Sequence, residues 1–417
     1  MPERRYRVLA IASHPVQYMS PIFRRLAAHP EIDLQVAYCS LRGAEPALDQ
    51  GFGITVGWDV PLLDGYFWTH VPNRGSGSQS FFGLYNPGLW KVLRKGRYDA
   101  ALCFTGYRCA TFWIARLVAR ISRTAFLFGT DSTALASRDG RSWKAALKKL
   151  FWPRLFRLAT QVIVPSSGSR DLMLSLGVPA DHVTLTPYSV DNDWWLEQAG
   201  SVDRRAVRSS WGATALDIVI LFCAKLQPWK RPLDLIRAFA KADLPNALLV
   251  YAGEGPLREQ LESEAVSLGL AARVRFLGFV NQSKLPAVYS SADVMVLPSE
   301  HEPFAVVVNE AMCCGSPVIA SDRVGAARDL IAPVCAEFVY PCGDIDALAS
   351  ILRGLNHSRL EVLARAYDVH IRSWSPEQNI TATIEAIRLA VSRADGSSQS
   401  GSPTPGKTPV TPEKSRG

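Results

Sequence analysis

The chain has no stretch of eighteen consecutive apolar residues among its 417, so nothing in it has the length and character to cross a bilayer as a helix. It has no C-x-x-C pair either. The eight cysteines (39, 103, 109, 223, 313, 314, 335 and 342) stand without companion histidines at zinc spacing. They predict reduced core thiols of a cytoplasmic protein, not a disulfide framework or a metal knuckle. Acids are the minority charge, 38 against 46 basic residues for a net +8. That balance favours anionic partners such as phosphates or acidic lipid. No base-reading module accompanies it, so nucleic acid is not expected as a partner. A secretory leader is not expected. "RRYRVLAIASHP" has a basic start, but its apolar run is only about seven residues and lacks a small-residue cleavage site. It reads as a buried first strand.

What is present is a repeated α/β pattern. With 48% apolar and 20% charged residues, the chain is globular and long enough for two cores. Short apolar runs separated by helix-length segments predict parallel strands at 7–12, 34–38, 100–104, 124–128, 161–165 and 183–187. Periodicity then lapses over "NDWWLEQAGSVDRRAVRSSWG" (192–212). It restarts with "DIVILFCAK", "NALLVYAG", "RVRFLGFV", "DVMVLPS" and "PVIASD". The expected organisation is a Rossmann-like domain over 1–195 and a second over 196–375, facing each other across a cleft. A helix at 376–395 should pack back on the first domain. The Ser-, Pro- and Thr-rich tail at 396–417 should be disordered. Ligands of such sheets bind beyond the carboxyl ends of the strands.

"EHEPFAVVVNEAMCCGSPVIASD" (300–322) puts Glu302 and Glu310 in an apolar setting. A helix is predicted to start near Pro303, which leaves the N–H groups of Phe304, Ala305 and Val306 free to hold an anion. Eight residues of helix rise roughly 12 Å, so the two carboxylates cannot share a proton or a metal. They can grip the two ends of one elongated ligand with an anionic middle. The plainer alternative is a helix-start acid and a solvated helix residue. "FCAKLQPWKRP" (222–232) weighs against it, because Lys225 and Lys230 follow a strand end where a diphosphate would lie. Gly253-x-Gly255 reads as a tight turn near that site, since a dinucleotide fingerprint needs a third glycine.

Glu302-x7-Glu310, the loop lysines, "YAGEGPLREQLE" (251–262), "VRFLGFV" (274–280) and "ADVMVLPS" (292–299) follow one another here in the order of the retaining glycosyltransferases of family four. The second half resembles that family closely and the first half more loosely. The resemblance implies the GT-B fold and a nucleoside-diphosphate sugar as donor, bound within 217–375. It implies that Glu310 holds the ribose hydroxyls, Glu302 the transferred sugar, and Lys230 with Lys225 the diphosphate. Residues near Phe279 and Val280 would offer backbone groups to the base. Lys225 stands where many members have arginine, which keeps the charge and loses the bidentate fork. No cofactor or obligatory metal is implied, and retention would proceed by attack on the same face.

In the first half, "ASHPVQYMSPIFRRLA" (12–27) places His14, Gln17 and Tyr18 on the turn facing the cleft. These three form the expected acceptor side. "GWDVPLLDGYFW" (57–68) adds Trp58 and Asp59, by likeness to members from polysaccharide gene clusters. Where many members carry a histidine near the donor sugar, this sequence has "FGTDSTALASR" (128–138), so Asp131 is the expected replacement. "DND" (191–193) imitates a metal-binding D-x-D but lies at a turn that the family shares. The segment 141–159 interleaves Lys144, Lys148 and Lys149 with Trp143, Leu147 and Phe151. It is either a core helix with a solvated basic face or a helix lying on an anionic membrane.

These readings converge on a retaining hexosyltransferase acting on a saccharide or lipid-linked saccharide in surface polysaccharide or glycoconjugate synthesis. It would work in the cytoplasm, peripherally on the membrane's inner face. Two alternatives stay open: a nucleotide-sugar epimerase on the same fold, or a partner subunit without catalysis.

Overall fold

The computed structural model describes residues 5–49, 51–78, 80–135 and 142–399, with side chains described as far as 395. The chain builds two parallel sheets. The first contains β1 (Tyr6–Ala12), β2 (Ile32–Tyr38), β5 (Phe67–His70), β6 (Ala100–Cys103), β7 (Ala125–Gly129), β8 (Gln161–Val164) and β9 (Val183–Leu185). Two further short strands, β3 (Ala47–Asp49) and β4 (Ile54–Val56), form a separate antiparallel hairpin. The second sheet contains β10 (Ile218–Cys223), β11 (Ala247–Ala252), β12 (Val274–Gly278), β13 (Val294–Leu297), β14 (Val318–Ser321) and β15 (Val339–Tyr340).

The strand orders are β5-β2-β1-β6-β7-β8-β9 and β12-β11-β10-β13-β14-β15. Every paired strand within each sheet is parallel. Helices cover both faces of such sheets, so their strands are buried on both sides and read as unbroken apolar runs. All six residues of β10 and all six of β11 are buried. Order reverses at β1/β6 and at β10/β13, the switch points where α/β sheets open a crevice.

Helix Asn192–Gly200 packs on helices Leu285–Ser291 and Val307–Cys313 of the second unit. Trp195 is buried in that core, 5.8 Å from the Tyr289 ring. The chain therefore crosses between units just before Asn192, where the lapse of strand periodicity begins. It returns through helix Pro376–Gln399, whose Ile380, Ile384, Ile387 and Val391 lie in the core beneath the first sheet. Arg388–Glu31 at 2.6 Å and Arg393–Asp181 at 3.0 Å fasten this helix to the first unit. The backbone of that helix continues through 396–399, the opening of the predicted tail, and the rest of the tail lies outside the described residues.

Both crossing segments meet at Arg25, which bonds Asp191 at 2.8 Å, Asp193 at 2.9 Å and also Glu377. The D-x-D look-alike is thus a structural tie. Among the described residues no cluster of three His, Cys, Asp or Glu side chains is placed to hold a metal ion, and no helix is long and apolar enough to cross a membrane.

Candidate functional site

The loops at the carboxyl ends of the two sheets enclose a cavity of about 370 Å³ lined by residues from both halves of the chain. Glu310 reaches it from helix Val307–Cys313, whose Val308, Ala311 and Met312 are buried in the core. Its Oε2 accepts a 2.9 Å hydrogen bond from the Tyr289 hydroxyl. Desolvation by the surrounding protein pushes its carboxyl up to about 7, and the tyrosine bond opposes that shift.

Glu302 is held differently. Its backbone N–H donates to the Arg323 carbonyl at 3.2 Å, and its carbonyl accepts from Gly325 at 3.0 Å. Gly325 permits the approach, since a Cβ there would lie 2.0 Å from the Pro303 carbonyl oxygen. The Glu302 side chain forms an ion pair with Lys230, both largely buried. Lys230 ends the single turn Pro228–Lys230 after β10. A carboxylate and an ammonium that face one cavity can separate onto opposite ends of a polar ligand.

One expectation is corrected here. The helix does not start at Pro303; it starts at Val307, and Pro303–Val306 is a loop. Phe304 anchors that loop, with its ring buried 5.3 Å from Tyr188 and 5.8 Å from Trp374. Ala305 follows with φ at 85°, a conformation rare outside glycine. Among the described residues, no acceptor meets the N–H groups of Phe304, Ala305 or Val306, and all three residues line the cavity. The three N–H groups therefore sit without a described acceptor on a strained loop, not on a helix end.

Gly253 sits at φ 152°, where a Cβ would meet the Ala224 carbonyl oxygen at 2.0 Å. Its role is close approach of the loops after β10 and β11, and it lines the cavity beside Phe279 and Val280. Lys225 departs from expectation. It does not line the cavity; its Nζ pairs with Asp49 at 2.6 Å and lies 4.4 Å over the Phe52 ring. A second departure is Asp59, which accepts from the Ser283 backbone N–H at 3.0 Å and from its hydroxyl. It ties the first half to the second rather than facing an acceptor. Trp58, its neighbour, does line the cavity.

Gln17, Tyr18 and Asp131 close the first-half side of the same cavity. Tyr18 stacks edge-on to Tyr188 at 5.5 Å, and burial followed by the Asp131 charge raises its hydroxyl pKa. His14 lies behind this wall in an adjoining cavity of about 250 Å³ that also touches Tyr18, Asp131 and Tyr188. Its Nδ1 is 2.9 Å from Ser13 Oγ, and burial with the Arg42 charge lowers its pKa. Tyr289, Tyr188 and Phe52 escaped the sequence reading, the first two because buried tyrosines within apolar segments look like ordinary core.

Two family descriptions match the chain. "Glycosyl transferases group 1" covers residues 203–367 and "Glycosyl transferase 4-like domain" covers 12–189. An uncharacterized glycosyltransferase, MJ1607 of Methanocaldococcus jannaschii, is 38% identical over 299 residues, 69% of this chain and 76% of that protein. The chain is a glycosyltransferase of the family-four type. D-inositol 3-phosphate glycosyltransferase of Mycobacterium tuberculosis is 30% identical over 292 residues, 67% of this glycosyltransferase, which spans only 59% of that relative. The fold is GT-B. Among solved structures, Anabaena Alr3699/HepE in complex with UDP and glucose superposes with a TM-score of 0.69 at 19% identity, covering 92% of this chain and all of that one.

Proposed function

We propose that this glycosyltransferase moves a hexose from a nucleoside-diphosphate sugar to a saccharide or lipid-linked saccharide with retention of configuration. The convergence of the Lys230–Glu302 pair, Glu310 and three backbone donors on one cavity carries the reading. Lys230 and the 304–306 N–H groups neutralise the leaving diphosphate, which is electrostatic stabilisation of the developing charge. Glu310 accepts from the ribose hydroxyls and Glu302, released from Lys230, from the sugar. Gln17, Tyr18 and Asp131 face the acceptor from the opposite wall. The reading calls for no cofactor or metal. That HepE was solved with UDP supports a nucleotide ligand for the shared fold.

A ligand that binds only the folded state raises its melting temperature. The test is thermal unfolding of the full chain with UDP, ADP and GDP, followed by transfer assays with the matching sugar nucleotides. Proton NMR of the product's anomeric signal decides retention. A chain stabilised by no nucleoside diphosphate overturns the donor assignment, and an inverted product overturns retention.

The helix Ser142–Phe156 supports a peripheral membrane contact at the cytoplasmic face. Trp152, Leu155 and Phe156 are buried, while Trp143, Leu147 and Leu150 are 58%, 57% and 63% exposed beside Lys144 and Lys149. Apolar side chains flanked by lysines suit the headgroup boundary of an anionic bilayer, which would bring a lipid-linked acceptor to the cleft.

A further inference from the structure

The hairpin β3–β4 and the turn after it belong to the first half of the chain, yet their polar contacts reach into the second. Asp49 pairs with Lys225 at 2.6 Å, and Gln227 donates to the Gly51 carbonyl at 2.5 Å. Asn281 donates to the Gly57 carbonyl at 2.7 Å, and Asp59 accepts from the Ser283 N–H at 3.0 Å. These ties fall on the loops after β10 and β12, which bracket one wall of the cavity.

Between the ties lie three rings. Phe52 meets Phe279 edge-on with centroids 4.9 Å apart, and Trp58 approaches Phe279 at 6.0 Å. All three rings line the cavity and stay partly exposed. Phe304 and Tyr289, on the same cavity, are buried instead. Partly exposed rings held on a cavity wall from two halves of the chain suit a flat heterocycle that stacks on them.

We propose that Phe52 and Trp58 complete, with Phe279, an aromatic slot for the base of the nucleotide donor. The first half then supplies part of the donor site, which is not confined to 217–375. Lys225 serves the slot as well: its ammonium lies over Phe52 and its bond to Asp49 holds the hairpin against β10. This proposal rests on the nucleotide reading above.

The test is calorimetric titration of the full chain with UDP, with inorganic pyrophosphate as a probe that has no base. Phe52→Ala and Trp58→Ala should each weaken UDP about tenfold or more, the usual scale for losing one stacking ring, while pyrophosphate binding changes less than twofold. Phe52→Tyr, which keeps the ring, should stay within twofold of wild type for UDP. If Phe52→Ala fails to fold, Phe52→Leu keeps bulk without the π-face and carries the same comparison. UDP and pyrophosphate weakening together, or UDP binding unmoved, would reduce the hairpin to a domain tie and overturn the slot. Failure of the wild type to bind UDP, ADP or GDP strikes the nucleotide reading itself, and the slot falls with it.

Discussion

The Tyr289 hydroxyl donates a 2.9 Å hydrogen bond to Glu310 Oε2 at the wall of the cavity. One neutral donor does not replace the water that burial removes, so Glu310 holds its proton up to about 7 against an ordinary 4.5. A raised folded-state value means that the folded chain binds the proton more tightly than the unfolded one. The resulting stability is fully present below about 4.5 and is lost as pH rises through about 7. Glu310→Gln cannot ionise and escapes that loss. Its stability relative to wild type should therefore rise between pH 5 and pH 8, by about 2 kcal/mol once partial contact with solvent is allowed for. Urea unfolding of both proteins at four pH values measures it. Parallel curves would return Glu310 to an ordinary carboxylate.

Lys230 and Glu302 neutralise each other while largely buried. Removing one partner strands the other charge, which is costly, whereas removing both is much less so. Lys230→Ala should lower stability on the order of 2 kcal/mol, and adding Glu302→Gln should restore most of it. Transfer should behave otherwise. Lys230→Ala should lower turnover at least tenfold, about 1.4 kcal/mol of transition-state stabilisation, and the double variant should recover none of it. Normal turnover in Lys230→Ala would sink the phosphate role.

The sequence displays the two sheets because strands buried on both faces are unbroken apolar runs, as in β10 and β11. It hides β5, whose Phe67 and Trp68 are exposed at a sheet edge, and β3–β4, which has no core to face. Glu302 and Glu310 are legible as acids out of place. The fate of Lys225 is not, because its partner Asp49 lies 176 positions away and only the assembled cleft joins them. The start of the helix misleads for a local reason. Proline favours a first turn, but the packing of Gly325 on Pro303 and the burial of Phe304 hold that stretch as a loop.

If helix Ser142–Phe156 rests on a bilayer, its attraction is partly electrostatic and falls with salt. Lys148 donates to the Leu135 carbonyl at 3.1 Å and is kept, while Lys149 and Lys144, whose Nζ lies 5.7 Å from the Trp143 ring, are the sites to change. Co-sedimentation with anionic vesicles should drop severalfold for Lys144→Glu with Lys149→Glu, and again for Trp143→Ser. Melting temperatures should hardly move, since Trp143 and Lys149 are exposed and Lys144 is partly exposed. Equal sedimentation of wild type and variants would leave the helix a core element with a solvated basic face.

The two carboxylates should separate by assay. Glu310→Gln keeps the shape of the side chain but loses the charge-assisted part of a bond to a ribose diol, worth roughly 1.5 to 3 kcal/mol. Binding of the free nucleoside diphosphate should weaken about tenfold or more, most of all above pH 7, where the wild-type carboxylate is ionised. Glu302→Gln faces no sugar in that ligand and frees Lys230 from its ion pair. It should bind the nucleoside diphosphate as well as wild type or better, and still lose at least tenfold in transfer. Calorimetry with the nucleoside diphosphate beside a transfer assay reads both effects on the same preparations. Weakened nucleotide binding in Glu302→Gln, with Glu310→Gln unaffected, would exchange the two roles. Wild-type behaviour of both would make the pair an ordinary feature of this loop and helix.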